Sequence, residues 1–504
     1  MNRYQGPLIF LVFWFGLLAV GNRFLRDPGQ FWHTRVGEDI LTGGFVRTDP
    51  YTFTFHGTRW TPYQWLGEVV MALCYRVSGF DTQLVLATAL VAGLYAWLAT
   101  QLLRTGLHPI FAMGATFFTL FAASTHFHVR PHLFTMVGMV VTFWMLSEYD
   151  ARRIKLWQLL WLVPLYWVWT NIHGGTMGGL ATLAMAGAGW VLVKLLKWPE
   201  AKSWGESAGF VGIAVVCGAM AFCSPYGIEM VRTWLYINNG MTKLPQLIVE
   251  HSPLDLSNPF AWPMVILAVG YVSLLALTFP RRPQVVWLIP LFWMVQSFLR
   301  VRHGAIFAPV ALFVMAEIWP HTILAKWLAF RRPDVYKPSN DRPREAWKIL
   351  IAAVIALAVA VGLQAAKVQV PLIGHNWAKL DPKHWPLESD EGLKKYEPTG
   401  EQNPRIFCEY IYGGYLIHRF PGYRVFVDDR CEVFGDDWLL EFVRADEADT
   451  AEYLDRMRAQ YGEFAFALTT TTDRKDGYDA YFRNRPAVWE CVKQSPTASF
   501  YRRK

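Results

Sequence analysis

The strongest constraint on this chain is a series of long apolar runs separated by short basic stretches. The run ILIAAVIALAVAVGL (349–363) holds no polar side chain. A helix needs about 20 mainly apolar residues to cross a hydrocarbon core. Segments of that kind lie at 7–22, 82–103, 107–124, 131–148, 156–170, 176–197, 207–223, 260–279, 283–299, 304–319 and 347–366. They predict an α-helical polytopic membrane protein with about eleven spans. Composition agrees: 53% of the 504 residues are hydrophobic and 17% charged, less charge than a soluble protein of this size carries. The 24 Trp and 34 Phe suit membrane interfaces.

The net charge of +8 raises nucleic acid as a partner, but the basic residues cluster in short stretches between spans. That is the pattern of cytoplasmic loops, and no nucleic-acid partner is expected. By the same rule ARRIK (151–155), KLLKWPEAK (194–202), PRRP (280–283) and residues 326–348 face the cytoplasm, and Arg104 marks another inner turn. The first run, PLIFLVFWFGLLAVG, has bulky residues and no small-x-small cleavage site, so it reads as a retained signal anchor. Alternation puts the N-terminus inside. Residues 23–81, 124–131, 171–175, 224–259, 300–303 and everything after 367 then lie outside, provided PYQWLGEVVMALCYRV (62–77) rests on the outer surface.

This topology gathers polar residues on one face. Asp27, His33, Asp39, Asp49 and Glu68 stand in the first outer loop; His126, His128, Arg130 and His132 in HFHVRPH; Asn171 and His173 in TNIHGG. Glu250, His251 and Asp255 follow in EHSPLD, and Arg300, Arg302 and His303 in LRVRH. Ionisable groups at membrane depth cost a few kcal/mol each and usually line a functional cavity. The bland alternative is a set of ordinary wet loops. Asp27 before Pro28 is a helix start. GQFWHTRVGEDILTGG after it reads as an amphipathic helix closed by Gly43-Gly44, lying flat in the interface with Trp32 at the lipid boundary.

DPGQFWHTRVGEDILTGGFVRTDPYTFT, WTPYQWLGEVV, VRPHLFT, WTNIHGGTMGGL, CSPYGIEM and YGGYLIHRFPGYRVFVDDR together resemble a family of bacterial membrane proteins of the GT-C glycosyltransferase type. The resemblance implies a GT-C-like fold with interfacial helices in the first outer loop. It also implies sugar transfer, usually inverting, from a polyprenyl-phosphate donor to a glycan, lipid or protein acceptor outside the cytoplasm. Such chemistry needs a carboxylate to take the acceptor's proton and cations to stabilise the leaving phosphate. Asp27, where the superfamily places its first-loop acid, is the candidate base, and Asp49 a second catalytic acid. Candidate substrate contacts are His33, Glu68, His128, Arg130, His132, His173, Arg300, Arg302 and His303; each Arg has the alternative of snorkelling to headgroups. HFHVRPH has no recognised zinc spacing, and a divalent cation is the one cofactor candidate. The paired glycines of NIHGGTMGGL lack a strand–loop–helix setting and serve a tight turn and close helix packing.

These features divide the chain into a transmembrane part, 1–366, and a soluble extracytoplasmic α/β domain, 367–504. The tail shows short β-like runs, RIFCEYIYGGYLIHR, YRVFVDDR, EFAFALTT, AVWECVKQ and ASFYRR, around the helical stretch DDWLLEFVRADEADTAEYLDRMRAQYG. Its acids and aromatics suit sugars, although Asp428-Asp429-Arg430 departs from the family's usual Gly after the second Asp. Cys408 and Cys431 are either a disulfide or free buried thiols. A bacterial cytoplasmic membrane is the expected location. Two rival readings remain at this level: a transporter or lipid-binding protein without transferase activity, and a polysaccharide ligase or polymerase using a pyrophosphate-linked donor.

Overall fold

The computed structural model describes residues 4–199, 201–339, 346–374, 376–397 and 404–504. Glu200 of the basic stretch 194–202 and residues 340–345 of the stretch 326–348 lie outside them. Every apolar run singled out above contains helix, from Gln5–Ala19 through Phe80–Arg104 to Ala346–Ala365. Among the described residues, six helices are long and apolar enough to cross a membrane, and Gln5–Ala19 and Val285–Leu299 are apolar but shorter. The protein is therefore a helical membrane protein.

Phe80–Arg104 is central, packed against Gln5–Ala19, Pro109–Ala123 and Ala346–Ala365. Because lipid is as apolar as leucine, helix contacts in this setting rely on small residues and buried hydrogen bonds. The Trp14 indole N–H donates to Thr88 Oγ1 at 3.1 Å, and that of Trp293 to Thr182 Oγ1 at 3.1 Å. Gly179 lets the Trp169 ring come so near that an added Cβ would lie 2.6 Å from it.

The tail folds as a five-stranded sheet of Arg405–Cys408 (β1), Arg424–Val425 (β2), Phe466–Thr470 (β3), Trp489–Gln494 (β4) and Ala498–Arg503 (β5). Its order is β2-β1-β3-β5-β4, with β1 parallel to β2 and β3, and β5 antiparallel to β3 and β4. Helical crossovers serve the parallel pairs, as they must. The loop between the first helix and Phe80–Arg104 extends this sheet: Val425 N–H donates to Tyr51 O at 3.1 Å and Phe53 N–H to Val425 O at 3.0 Å. One apolar core then runs through both parts, joining Phe31, Trp32, Tyr51 and Trp60 to Trp385, Tyr415 and Phe426.

Several local expectations are corrected. RIFCEYIYGGYLIHR is a strand only at Arg405–Cys408; Tyr410–Arg419 is a helix. Its buried Tyr412, Tyr415 and Leu416 follow helical spacing, and Gly413 lets it press onto the chain, where a Cβ would stand 2.1 Å from Val427 O. YRVFVDDR pairs only at Arg424–Val425. The long helical stretch is two helices, Asp436–Ala445 and Thr450–Tyr461, broken where Asp449 takes φ +58°. Trp32 is not at a lipid boundary. Helix Gly29–Gly43 is covered by Trp65–Ser78 and by the tail, leaving Trp32 buried at 3% exposure. Cys408 and Cys431 are free thiols.

Candidate active site

Asp27 closes the short turn after the first helix, and its carboxylate is fixed from two sides. Gly29 N–H donates to Oδ1 at 2.7 Å, and Arg130 Nη1 donates to Oδ2 at 3.0 Å. Arg130 is brought there because Val129 N–H is tied to Phe24 O at 2.9 Å. The pair stands at one wall of a cavity of about 440 Å³, also lined by His126, His132, His173, Glu250, His251, Arg302 and His303. Residues from turns far apart in sequence therefore share one space.

The histidines are held by specific bonds. Gly175 N–H donates to His173 Nδ1 at 3.0 Å, which leaves Nε2 to carry the proton of the neutral ring. Arg302 Nη1 donates to His251 Nε2 at 2.9 Å, so the His251 proton sits on Nδ1. His132 meets His126 O through Nε2 at 2.7 Å. Burial holds His126 down at about 4 and, joined by Arg302, His251 at about 3, so both rings are neutral at neutral pH. For Glu250, burial acts upward, but Arg130 and the surrounding imidazoles outweigh it and hold the carboxyl down at about 2. It is a carboxylate under all ordinary conditions.

The tail supplies the remaining wall through Tyr410, Asp429, Cys431 and Glu432. Burial and the neighbouring Asp27 push Asp429 up to about 8, against the pull of Arg130. Its Oδ1 is shielded from solvent and has no hydrogen-bond partner among the described residues. The Trp32 N–H, close enough to favour the charged form, makes no bond of hydrogen-bond length. Ligand atoms of Asp27, His128 and Glu250 lie within 4.8 Å of one another. Two carboxylate side chains and an imidazole, whose Nδ1 is buried without a partner, are a donor set able to hold a divalent cation.

The structure separates the sequence candidates. Asp27, Arg130, His132, His173, Arg302 and His303 line the cavity, and His128 sits beside Asp27. Asp49, His33, Glu68 and Arg300 are not among the lining residues. Asp49 is wholly buried, receiving Arg430 Nη2 at 2.8 Å. Arg430 also binds Asp428 through Nε at 2.8 Å and Nη2 at 2.6 Å, and its guanidinium lies 4.4 Å from the Trp60 ring. Burial acts to raise Asp49, yet Arg430 and Thr52 bring it below its ordinary value. His33 Nδ1 meets Glu68 Oε1 at 3.0 Å. Burial drives that histidine well down and that acid well up, disfavouring the charged form of each. Asp429 entered the sequence reading only within Asp428-Asp429-Arg430, as one of the tail's acids, and Glu432 was not singled out.

Neither a protein-family model nor a curated protein matches the chain. Among solved structures, it is similar to the oligosaccharyltransferase AglB of the archaeon Archaeoglobus fulgidus in complex with an inhibitory peptide and a dolichol-phosphate. Identity is 11% and the TM-score 0.50, over 93% of this chain and 70% of that one. The same archaeon's oligosaccharyltransferase tethered to an acceptor peptide with the NVT sequon gives 12%, 0.49, 93% and 69%. ArnT from Cupriavidus metallidurans in the apo state gives 12%, 0.49, 98% and 97%. At such identity the likeness is one of fold.

Proposed function

We propose that this protein is a membrane glycosyltransferase that moves a sugar from a polyprenyl-phosphate donor to an acceptor at the outer face of a bacterial cytoplasmic membrane. The observation that carries the reading is the single cavity in which Asp27, Arg130, Glu250, Arg302 and histidines from separate outer turns converge. A similar fold is seen holding a dolichol-phosphate and a peptide. The arrangement we favour has the eleven helical segments spanning the membrane, with residues 1–366 as the transmembrane part and 367–504 as an extracytoplasmic domain above the cavity.

In the reaction, an acceptor O–H or N–H attacks the anomeric carbon from the face opposite the phosphate. The new bond forms as the carbon–oxygen bond to phosphate breaks, which inverts the centre. The proton passes to the Asp27 carboxylate, and the bonding pair leaves with the polyprenyl phosphate. Arg130 fixes Asp27 in direction. Arg302, always charged, takes up the charge developing on the phosphate. Asp27, His128 and Glu250 would hold a divalent cation, which would supply further neutralisation of the departing phosphate. Asp49 acts at a distance, by holding Arg430 and the adjoining Asp429 in place.

The test is sugar release by the purified protein in nanodiscs from a panel of radiolabelled polyprenyl-phosphate sugars, with and without EDTA. Consumption of one donor supports the reading. Binding without consumption across the panel favours a lipid-binding role instead.

A further inference from the structure

The stretch WTNIHGG (169–175) ends helix Leu162–Ile172 and leads into helix Thr176–Leu195. It carries a chain of hydrogen bonds that stops at the cavity. The first link is Trp169, whose wholly buried ring rests against Gly138 and Gly179, where an added Cβ would lie 2.7 and 2.6 Å from it. The indole N–H donates to Thr135 Oγ1 at 3.0 Å. Thr135 Oγ1 stands in turn 2.8 Å from His173 Nδ1, the atom that also receives the Gly175 N–H.

Chemistry fixes the donor and acceptor roles along this chain. An indole N–H and a backbone N–H can only donate. Because Nδ1 accepts from Gly175 it carries no proton, so the Thr135 hydroxyl donates to it and turns its lone pairs to Trp169. Two donors on one nitrogen leave His173 a single form, the neutral ring with its proton on Nε2. A Cβ at Gly175 would lie 2.8 Å from Nδ1 and closer still to Thr135 Oγ1. Gly175 itself sits in the right-handed helical region, at φ −58° and ψ −11°, which is open to any residue. The close approach, and not the backbone conformation, is what requires the glycine. On its other side His173 lines the cavity. Its Nε2 has no hydrogen-bond partner among the described residues and, unlike Nε2 of His126, is not closed off.

Resting on the glycosyltransferase reading, we propose that His173 is a catalytic hydrogen-bond donor whose Nε2–H binds a phosphate oxygen of the lipid-linked donor, and that Thr135 is the positioning residue that fixes its tautomer. Arg130 and Arg302 line the same cavity. A third cation beside them would be repelled by both, whereas a neutral N–H adds a donor for the departing phosphate without that repulsion. The ring keeps its proton throughout. As the carbon–oxygen bond to phosphate breaks, the bonding pair moves onto the phosphate oxygen and the hydrogen bond to it strengthens. With Nε2 protonated and Nδ1 engaged, His173 has no lone pair free for a cation, which sets it apart from His128.

The experiment has two independent readouts. One is ¹⁵N NMR of histidine-labelled protein in nanodiscs at neutral pH, with His173→Gln identifying the His173 signals by their loss. Wild type should show a neutral His173 ring protonated at Nε2, and Thr135→Val should add the form protonated at Nδ1. The other is transfer from whichever polyprenyl-phosphate sugar the wild type consumes. His173→Ala should lower kcat about 100-fold or more at unchanged acceptor KM, and His173→Gln, which retains an N–H donor, should lose less. Thr135→Val should lower kcat about tenfold, and Thr135→Ser, which keeps the hydroxyl, should recover most of that loss. Melting curves accompany every variant, and if Thr135→Val melts early Gly175→Ala takes its place. A His173 ring protonated at Nδ1, or at both nitrogens, in the wild type overturns the fixed tautomer. Equal losses in Thr135→Ser and Thr135→Val, or an acceptor KM that rises in His173→Ala with kcat intact, overturn the assigned roles while leaving the transferase reading standing. Failure of the wild type to consume any donor removes that reading and the phosphate role with it, and the NMR result then decides the tautomer alone.

Discussion

Arg430 shows how much a single side chain in this fold carries. It is wholly buried between two carboxylates and two aromatic rings. Removing one member of such a cluster leaves an uncompensated charge in low dielectric, at a cost of about 3–5 kcal/mol. Arg430→Ala should therefore lower the melting temperature sharply and abolish activity through loss of structure. Circular dichroism melts check this, and an Arg430→Ala protein that melts like wild type would show that Asp49 and Asp428 need no counter-ion. The His33–Glu68 pair gives a pH signature. His33 has its pKa held below 6.5 in the fold, so the unfolded chain binds the extra proton and stability falls as pH drops below that value. Glu68 is raised above 4.5, so its contribution is whole below 4.5 and is lost as pH rises. The two slopes oppose one another between about 4.5 and 6.5. In Glu68→Gln only the histidine slope survives, and its melting temperature should climb more steeply across this window than that of wild type. Parallel curves would contradict the upward shift of Glu68.

At the level of elements, the close contact of Gly29–Gly43 with Trp65–Ser78 sets the position of the turn that carries Asp27. A Cβ at Gly37 would lie 2.0 Å from the backbone oxygen of Glu68. Because that neighbour is main chain, Gly37→Ala must push the helices apart, at about 1–3 kcal/mol, and should displace Asp27 enough to slow transfer in step with the loss of stability. Measured rate and melting temperature falling together would support this; a fully active, stable Gly37→Ala would refute it. Helix positions were legible because apolar length and helical period are local properties of sequence. The amphipathic pattern of Phe31, Val36 and Ile40 announced the first-loop helix correctly, but not what would cover it. Periodicity tells that a face is apolar, and the tail rather than lipid covers Trp32. Tyr410–Arg419 misled for the converse reason, since β-rich composition yielded to the packing that Gly413 allows.

Across the whole molecule, the loop after the first helix, the later turns and the tail line one cavity although they are far apart in sequence. Asp27, Arg130, His132, His173, Arg302 and His303 stood among the polar turns that the sequence reading grouped on one face, and the cavity brings these six together. Asp49 could not be told from Asp27 in this way; both are acids before proline, and only the position of Arg430 separates a buried counter-ion from a cavity carboxylate. The meeting of Asp429 with Asp27 was hidden for a related reason, since it depends on the tail docking through Tyr51 and Phe53 onto β2. The claim on which this account turns is that chemistry happens at Asp27. The direct measurement is transfer from a saturating polyprenyl-phosphate sugar by wild type and Asp27→Asn, side by side, with melting curves to match. The account predicts turnover by wild type and a loss of about 100-fold or more in the variant at unchanged donor KM. An Asp27→Asn protein that transfers sugar at the wild-type rate would contradict it.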